Sequence, residues 1–527
     1  MNNIETVSRG MLLLLMISHL SLSFVYVKNA LHMFQQNRYE LKRYTAWLFN
    51  RRNIRFVSCL IYFAVIIIVR LIFRHAGDAL NVFITIIFAI WLIMNESKRE
   101  YIKPLVLTSR VKRQIAVITL LLVLFTYAAV RYLPGIVSSI LAVYLPYLLI
   151  YPMAIITEPI EEAVKKRYEN EARDIIDSYD DLIKIGITGS YGKTTTKNVV
   201  KDIIGEKYYT LITPASYNTP MGITRTIREQ FKPIYEVFVC EMGADHVGEI
   251  SYLMDFVKPK YGIVTSIGPQ HLNTFGSLEN IISEKMQEIE KLPSDGVGII
   301  NIDNEYIRDY KIKNSCRIVT VGINNTDADY VAYDLKYSNK GSSFKVKLGA
   351  RGTTFNTILL GEHNIMNILC GIALAKELGM TNREIVRGVS SIRQVEHRLQ
   401  IKNINGFTFI DNAFNSNPVG CKRSLDVLSL MNGKRVIVTP GLIDLGPEED
   451  KDNYEFGAYM KDRADFVILV GEKNSAFIHK GLEESGYDMD RVLVVNNVKE
   501  AFAYIYQNFK KTDTILLEND LPDAFLY

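Results

Sequence analysis

Five apolar runs, at about 10 to 27, 56 to 73, 80 to 95, 114 to 130 and 136 to 156, crowd the first third of this chain. Most approach the ~20 residues that a helix needs to span hydrocarbon. Inside a bilayer every backbone N–H and C=O must bond internally, so segments of this kind can fold only as helices. The third run is the shortest, and a buried or re-entrant segment is the alternative for it. Loop charge sets an orientation. Lys28, Arg38, Lys42, Arg43, Arg51, Arg52 and Arg55 follow the first run, and Lys98, Arg99, Lys103, Arg110, Lys112 and Arg113 follow the third. Both connections should face the cytoplasm, whereas the alternate ones are short and carry mainly Arg74 and Arg131. Five crossings then place Met1 outside and everything after about 157 inside. The first run has no basic leader and no clear small-residue cleavage site, which argues against a removable signal peptide. Arg70 near the outer end of the second run can snorkel to the interface.

The remainder is normally polar, so the overall apolar share of 48% averages two different kinds of chain. At 527 residues there is room for about three domains. A net charge of +4, with no basic tract interleaved with aromatics, argues against a nucleic-acid partner. The cysteines Cys59, Cys240, Cys316, Cys370 and Cys421 show no CxxC spacing, so neither a zinc site nor a disulfide framework is indicated.

Residues 157 to 180 are charged and helix-compatible, as a connector would be. A strand-like run, Ile183 to Ile187, then leads into Thr188-Gly189-Ser190-Tyr191-Gly192-Lys193-Thr194-Thr195-Thr196 and an amphipathic stretch with Val199, Val200, Ile203 and Ile204. Strand, glycine-rich turn and helix together make a phosphate cradle. Glycines let backbone N–H groups close on phosphate oxygens, the helix N-terminus adds positive potential, and Lys193 neutralises the terminal phosphates. The Thr194 hydroxyl can ligate magnesium. The spacing is the short G-x-x-G-K-T form, for which an ordinary strand-to-helix turn is the competing reading.

Tyr235 to Cys240 reads as a buried strand ending in Glu241-Met242-Gly243-Ala244-Asp245-His246, and a carboxylate at that end is placed to hold magnesium beside the loop. A second strand, Tyr261 to Ile267, leads to His271 and Phe275-Gly276-Ser277, then to a helix with Lys285 and Glu288. Further on come Gly361-Glu362-His363-Asn364-Ile365-Met366-Asn367, Glu396-His397-Arg398 and Asp411-Asn412-Ala413-Phe414-Asn415-Ser416-Asn417-Pro418. From about 181 to 515 this order of motifs resembles the Mur ligases, most closely the branch that adds D-alanyl-D-alanine to a muramyl tripeptide.

The resemblance implies a central P-loop domain at 181–397 and a C-terminal Rossmann-like domain at 398–527, after a membrane domain at 1–156 and a helical connector at 157–180. The fold class is thus a transmembrane helical region followed by α/β. It also implies ATP at Gly189, Ser190, Gly192, Lys193, Thr194 and Thr195, with Asn364 and Asn367 near the adenine and Arg398 reaching the phosphates from the third domain. Asp411 and Asn412 are implied to meet the nucleotide; at the ribose-contacting position the family usually carries an acid, whereas the residue that aligns is Asn412, directly after Asp411. Two magnesium ions are implied, one on Thr194 and Glu241, the other on His271 and a carbamylated Lys285. Carbamylation turns a lysine cation into a carboxylate-like ligand. Asn218, His246 and Asn415 are expected to meet substrate or stand behind it, as is Asp303.

The strands Phe407 to Asp411, Arg435 to Thr439, Phe466 to Val470, Val492 to Val495 and Thr514 to Leu517 alternate with helical stretches, as in a parallel sheet. The expected reaction is ATP-driven activation of a carboxylate as an acyl phosphate, followed by amide formation with an amine donor. Two features depart from the family. A membrane region stands where it has a nucleotide-binding domain, and Leu516 to Pro522 lacks a basic Lys-Gly-Ser-Arg type ending. A lipid-linked or other envelope precursor and a lipid bilayer are therefore the expected partners. A polyglutamate-type ligase and a non-catalytic ATP-binding scaffold are the competing readings.

Overall fold

The protein is described by a computed structural model covering residues 9–49, 78–96, 104–133, 135–349, 352–413, 417–443, 445, 448–471 and 474–519, together with isolated positions between 64 and 72. The described residues divide into two compact units, one up to Arg167 and the other from Tyr168.

The first unit is helical: α1 (Arg9–Gln36), α2 (Leu41–Leu48), α3 (Asp78–Glu96), α4 (Ser109–Tyr132), α5 (Gly135–Leu148) and the start of α6 (Ile150–Asp177). Among the described residues three stretches are long and apolar enough to cross a membrane, Leu12–Gln36, Ser109–Tyr132 and Val137–Asp177, with Val82–Asn95 a shorter apolar helix. The expected run at 56–73, with Arg70, lies outside the described residues apart from those isolated positions. Polar groups on α1 are buried against neighbouring helices and bonded there. Ser23 Oγ donates to the Ala142 carbonyl at 2.6 Å, and the Tyr147 hydroxyl donates to Asn29 Oδ1 at 2.9 Å. An apolar environment requires such partners.

The second unit holds two sheets. Its first runs in the order β2 (Thr210–Ile212), β3 (Val237–Glu241), β1 (Ile183–Thr188), β4 (Tyr261–Val264), β5 (Val297–Asn301), β6 (Arg317–Gly322), β7 (Tyr330–Ser338), β8 (Gly341–Lys347), β9 (Gly352–Thr357). Pairing is parallel from β2 to β7 and antiparallel across β7, β8 and β9. Alternation along the strands builds a core on each face. Val237 and Val239 of β3 pack on the side of Ile185 and Ile187, while Phe238 and Cys240 face the other way. The chain leaves β1 toward β2 and β3 on one side, then returns to place β4 on the other. The carboxyl ends of β1, β3 and β4 thus frame a topological switch point, where open α/β sheets bind ligands.

The second sheet has the order β10 (Gln400–Ile404), β11 (Phe407–Asn412), β15 (Thr514–Glu518), β12 (Arg435–Thr439), β13 (Phe466–Val470), β14 (Val492–Val495), parallel except for the β10–β11 hairpin. Helices cover both of its faces. The two α/β layers that the resemblance implies are therefore present, and the antiparallel β7–β9 extension and β10 go beyond what the sequence suggests.

Candidate active site

The turn after β1 begins at Gly189, whose φ of 145° puts a Cβ in collision with the Thr265 hydroxyl of the neighbouring strand end. Gly192 at φ 85° is the N-cap of α7 (Lys193–Ile204). Only glycine suits both positions. Lys193 lies back across its own turn, its Nζ donating to the carbonyls of Gly189 at 2.6 Å and Ser190 at 3.1 Å. Burial pushes its pKa down to about 8; Glu241 opposes that shift and Arg398 adds to it. Ser190, expected among the phosphate ligands, bonds to the chain that follows β4. Its N–H donates to the Ser266 carbonyl at 2.7 Å and its hydroxyl to the Gly268 carbonyl at 3.0 Å, because the turn must be stitched to the end of β4 to hold its shape.

At the end of β3, Glu241 collects several donors. Thr194 Oγ1 lies 3.0 Å and Asn218 Nδ2 3.1 Å from Oε1, while Lys197 Nζ lies 2.9 Å from Oε2. Lys197 was not singled out in the sequence. Its signal is its place one turn after Lys193 on the same helix, but a helix lysine ordinarily lies in solvent.

Lys285 lies on α8 (Leu278–Glu290), is only 2% exposed, and donates to the Ala244 carbonyl at 2.9 Å. Burial, then repulsion from Lys193, pulls its pKa down to about 7 against the pull of Glu284, Glu249 and Asp245. His271 takes φ 56° as N-cap of the short turn Leu272–Phe275 and is half-buried. His246 is exposed, 2.8 Å from Asp245 Oδ1, and its N–H is capped by Glu249. Asn415 lies outside the described residues.

A cavity of about 850 Å³ opens beside the turn, between the first and second sheets. Tyr191, Gly192, Thr195, Asn364, Asn367, Arg398 and Asn412 are among its walls. Asn364 and Asn367 belong to α9 (Glu362–Glu377), and Asn367 Oδ1 accepts from Thr196 Oγ1 at 3.1 Å, which ties that helix to α7. Asp303, also on the wall, accepts from the N–H groups of Ile323, Asn324 and Asn325 and shapes the loop after β6. Asp411, expected to meet the nucleotide, is 5% exposed. His397 Nδ1 lies 2.8 Å and Lys402 Nζ 2.6 Å from its Oδ2, so its carboxylate is committed to the start of the second sheet.

A glycine turn at a switch point, with an arginine of a second α/β layer on the wall of the same cavity, is the arrangement of a P-loop nucleotide-binding protein. Comparison with known proteins narrows this. Residues 187–375 match the Mur ligase middle domain, and 397–518 match the Mur ligase glutamate ligase domain. The UDP-N-acetylmuramoyl-tripeptide–D-alanyl-D-alanine ligase of Bacillus subtilis is 32% identical over 338 residues, 63% of this chain and 72% of that one. Crystal structures of MurF from Acinetobacter baumannii (23% identity, TM-score 0.62, 69% of this chain and 78% of that one) and of MurF from Thermotoga maritima in complex with ADP (21% identity, TM-score 0.61, 69% and 81%) share the fold. The chain belongs to the Mur ligase family.

Proposed function

We propose that this chain is an ADP-forming, ATP-dependent carboxylate-amine ligase acting on a peptidoglycan-type envelope precursor, held at a membrane by multiple N-terminal spans with Met1 outside and its catalytic domains in the cytoplasm. The observation that carries the reading is the glycine turn at the N-terminus of α7: Gly189 and Gly192 hold left-handed backbone there, Lys193 lies across the turn, and Arg398 is on the wall of the adjoining cavity. The phosphates of ATP are the polyanion that such a turn receives. The similarity to D-alanyl-D-alanine ligases favours this reading over a polyglutamate ligase or a scaffold.

A substrate carboxylate oxygen attacks the γ-phosphorus, the bond to the β-phosphate oxygen breaks, and ADP leaves with the electron pair. The amine then attacks the acyl carbon, phosphate departs, and the nitrogen loses a proton. Lys193 and Arg398 stabilise the charge that moves in the first step, and closure of the second sheet's domain excludes water. Thr194 and Glu241 would hold one magnesium ion, and His271 with a carbamylated Lys285 another. Magnesium there supplies neutralisation of phosphate charge. The Lys285 amine fits that role, since carbamate formation consumes a neutral amine and carbon dioxide and releases one proton, and a pKa of about 7 leaves much of it neutral at physiological pH.

The test is ADP release by the detergent-purified chain given muramyl tripeptide and D-alanyl-D-alanine, beside Lys193→Ala. Turnover should fall on the order of a thousandfold or more in the variant. Turnover indifferent to the substitution removes Lys193 from the mechanism.

A further inference from the structure

Arg398 is the middle residue of a turn whose two flanks are both left-handed, His397 at φ 57° and Leu399 at φ 50°. Neither flank is glycine, and non-glycine residues hold such conformations only where their surroundings over-determine them. Two adjacent residues at the end of β11 do so here. Asp411 Oδ2 lies 2.8 Å from His397 Nδ1, and Asn412 Oδ1 accepts the Leu399 N–H at 3.3 Å. Asn412 is oriented in turn by Glu518 at the end of β15, the strand next to β11. Its Nδ2 donates to both carboxylate oxygens, at 3.1 and 2.9 Å. Glu518 also accepts from the Ser424 hydroxyl, is fully buried, and lies close enough to Arg398 to act on its charge.

We infer that Asp411, Asn412 and Glu518 are positioning residues that clamp the turn on either side of Arg398 and thereby set where its guanidinium meets the phosphates. The inference rests on the ligase reading, because it assigns a purpose to Arg398. It reassigns the pair expected to meet the nucleotide. Asn412 has both polar ends committed within the protein, the carbonyl to Leu399 and the amide to Glu518. It also accounts for asparagine where an acid is usual in the family. An aspartate at this position would set two carboxylates against each other, whereas the amide satisfies Glu518.

The experiment uses the full chain in detergent and a double-mutant cycle. Asn412→Ala should lower kcat by about tenfold to a hundredfold, as loss of alignment does, with a smaller change in KM for ATP. In an Arg398→Ala background the same substitution should change kcat by less than about twofold, since the residue it positions is gone. Equal factors in both backgrounds overturn the clamp. If Asn412→Ala does not fold, Asn412→Asp and Asn412→Asp with Glu518→Gln replace it. The single change should be impaired and the pair restored to within about threefold of the parent. In the pair the donor and acceptor have traded places: the new amide on β15 donates to the new carboxylate on β11, which still accepts the Leu399 N–H. A folded pair that stays impaired overturns the inference. Binding of a non-hydrolysable ATP analogue separates the two levels: a parent chain that fails to bind it sinks the ligase reading and the clamp together, whereas a parent that binds and turns over with additive variants sinks the clamp alone.

Discussion

Lys197 and Glu241 form an ion pair at 2.9 Å in which both side chains are 1% exposed. Taking away one member of such a pair strands a charge in a poor solvent, at a cost of ~3–5 kcal/mol. Lys197→Met should therefore lower the apparent melting temperature clearly and release Glu241 from its orientation beside Thr194, weakening nucleotide binding; differential scanning fluorimetry with and without ATP checks both. Glu288 makes the opposite case. It is fully buried on α8, neither oxygen has a hydrogen-bond partner among the described residues, and burial pushes its pKa up to about 8. Its raised pKa means that the native state holds a proton which the unfolded chain, at an ordinary value of 4.5, has already lost. Stability should accordingly fall as pH rises from about 4.5 toward 8 and level off beyond. Glu288→Met should be more stable than the parent at pH 8, by an amount on the order of a few kcal/mol that shrinks toward pH 5. A melting-temperature difference that does not change with pH would contradict this.

At the scale of elements, the phosphate turn ties together three strand ends and one helix, and its first glycine is the joint. Gly189→Ala forces a side chain into the Thr265 hydroxyl at a φ of 145°, so the turn must move away from β4. ATP-analogue affinity should drop by about tenfold or more while the melting temperature changes little, because the strain is confined to a loop. Calorimetry and a thermal melt on the same sample decide it. This element was legible in the sequence because strand, glycine and lysine are constrained by φ preference and charge within a dozen residues. The parallel strands were legible for a similar reason: β1, β3, β12 and β13 are short apolar runs bounded by turns. The hairpin of β8 and β9 was not recognised, although Phe344 and Val346 alternate with Lys345 and face Phe355. Its strands are mostly polar on the outside and read as a loop. Pairings across sequence were hidden altogether. Nothing near Lys197 marks a carboxylate 44 residues away as its partner, and nothing near Asn412 marks Glu518.

For the molecule as a whole, the connector decides where the chain can be cut. The sequence suggests a boundary near 157 with a helical connector to 180; α6 runs through to Asp177, and its last turns belong to the second unit. Ala172 and Ile176 are fully buried in that unit's core, Glu169 accepts from the Tyr252 hydroxyl, and the Arg228 guanidinium lies 3.9 Å from the Tyr168 ring centroid. A fragment beginning at Tyr168 should fold, stay in solution without detergent and bind ATP. One beginning at Asp181 loses those buried side chains, worth about 2–5 kcal/mol, and should melt at least several degrees lower. The longer fragment also probes the role of the membrane part. If that region serves to bring the site to lipid-linked precursors, the Tyr168 fragment should keep its ADP release with a soluble muramyl peptide and lose most of it with the same peptide on a lipid carrier in vesicles. Equal turnover of both substrates by the fragment and by the full chain would leave the apolar helices without a part in substrate choice.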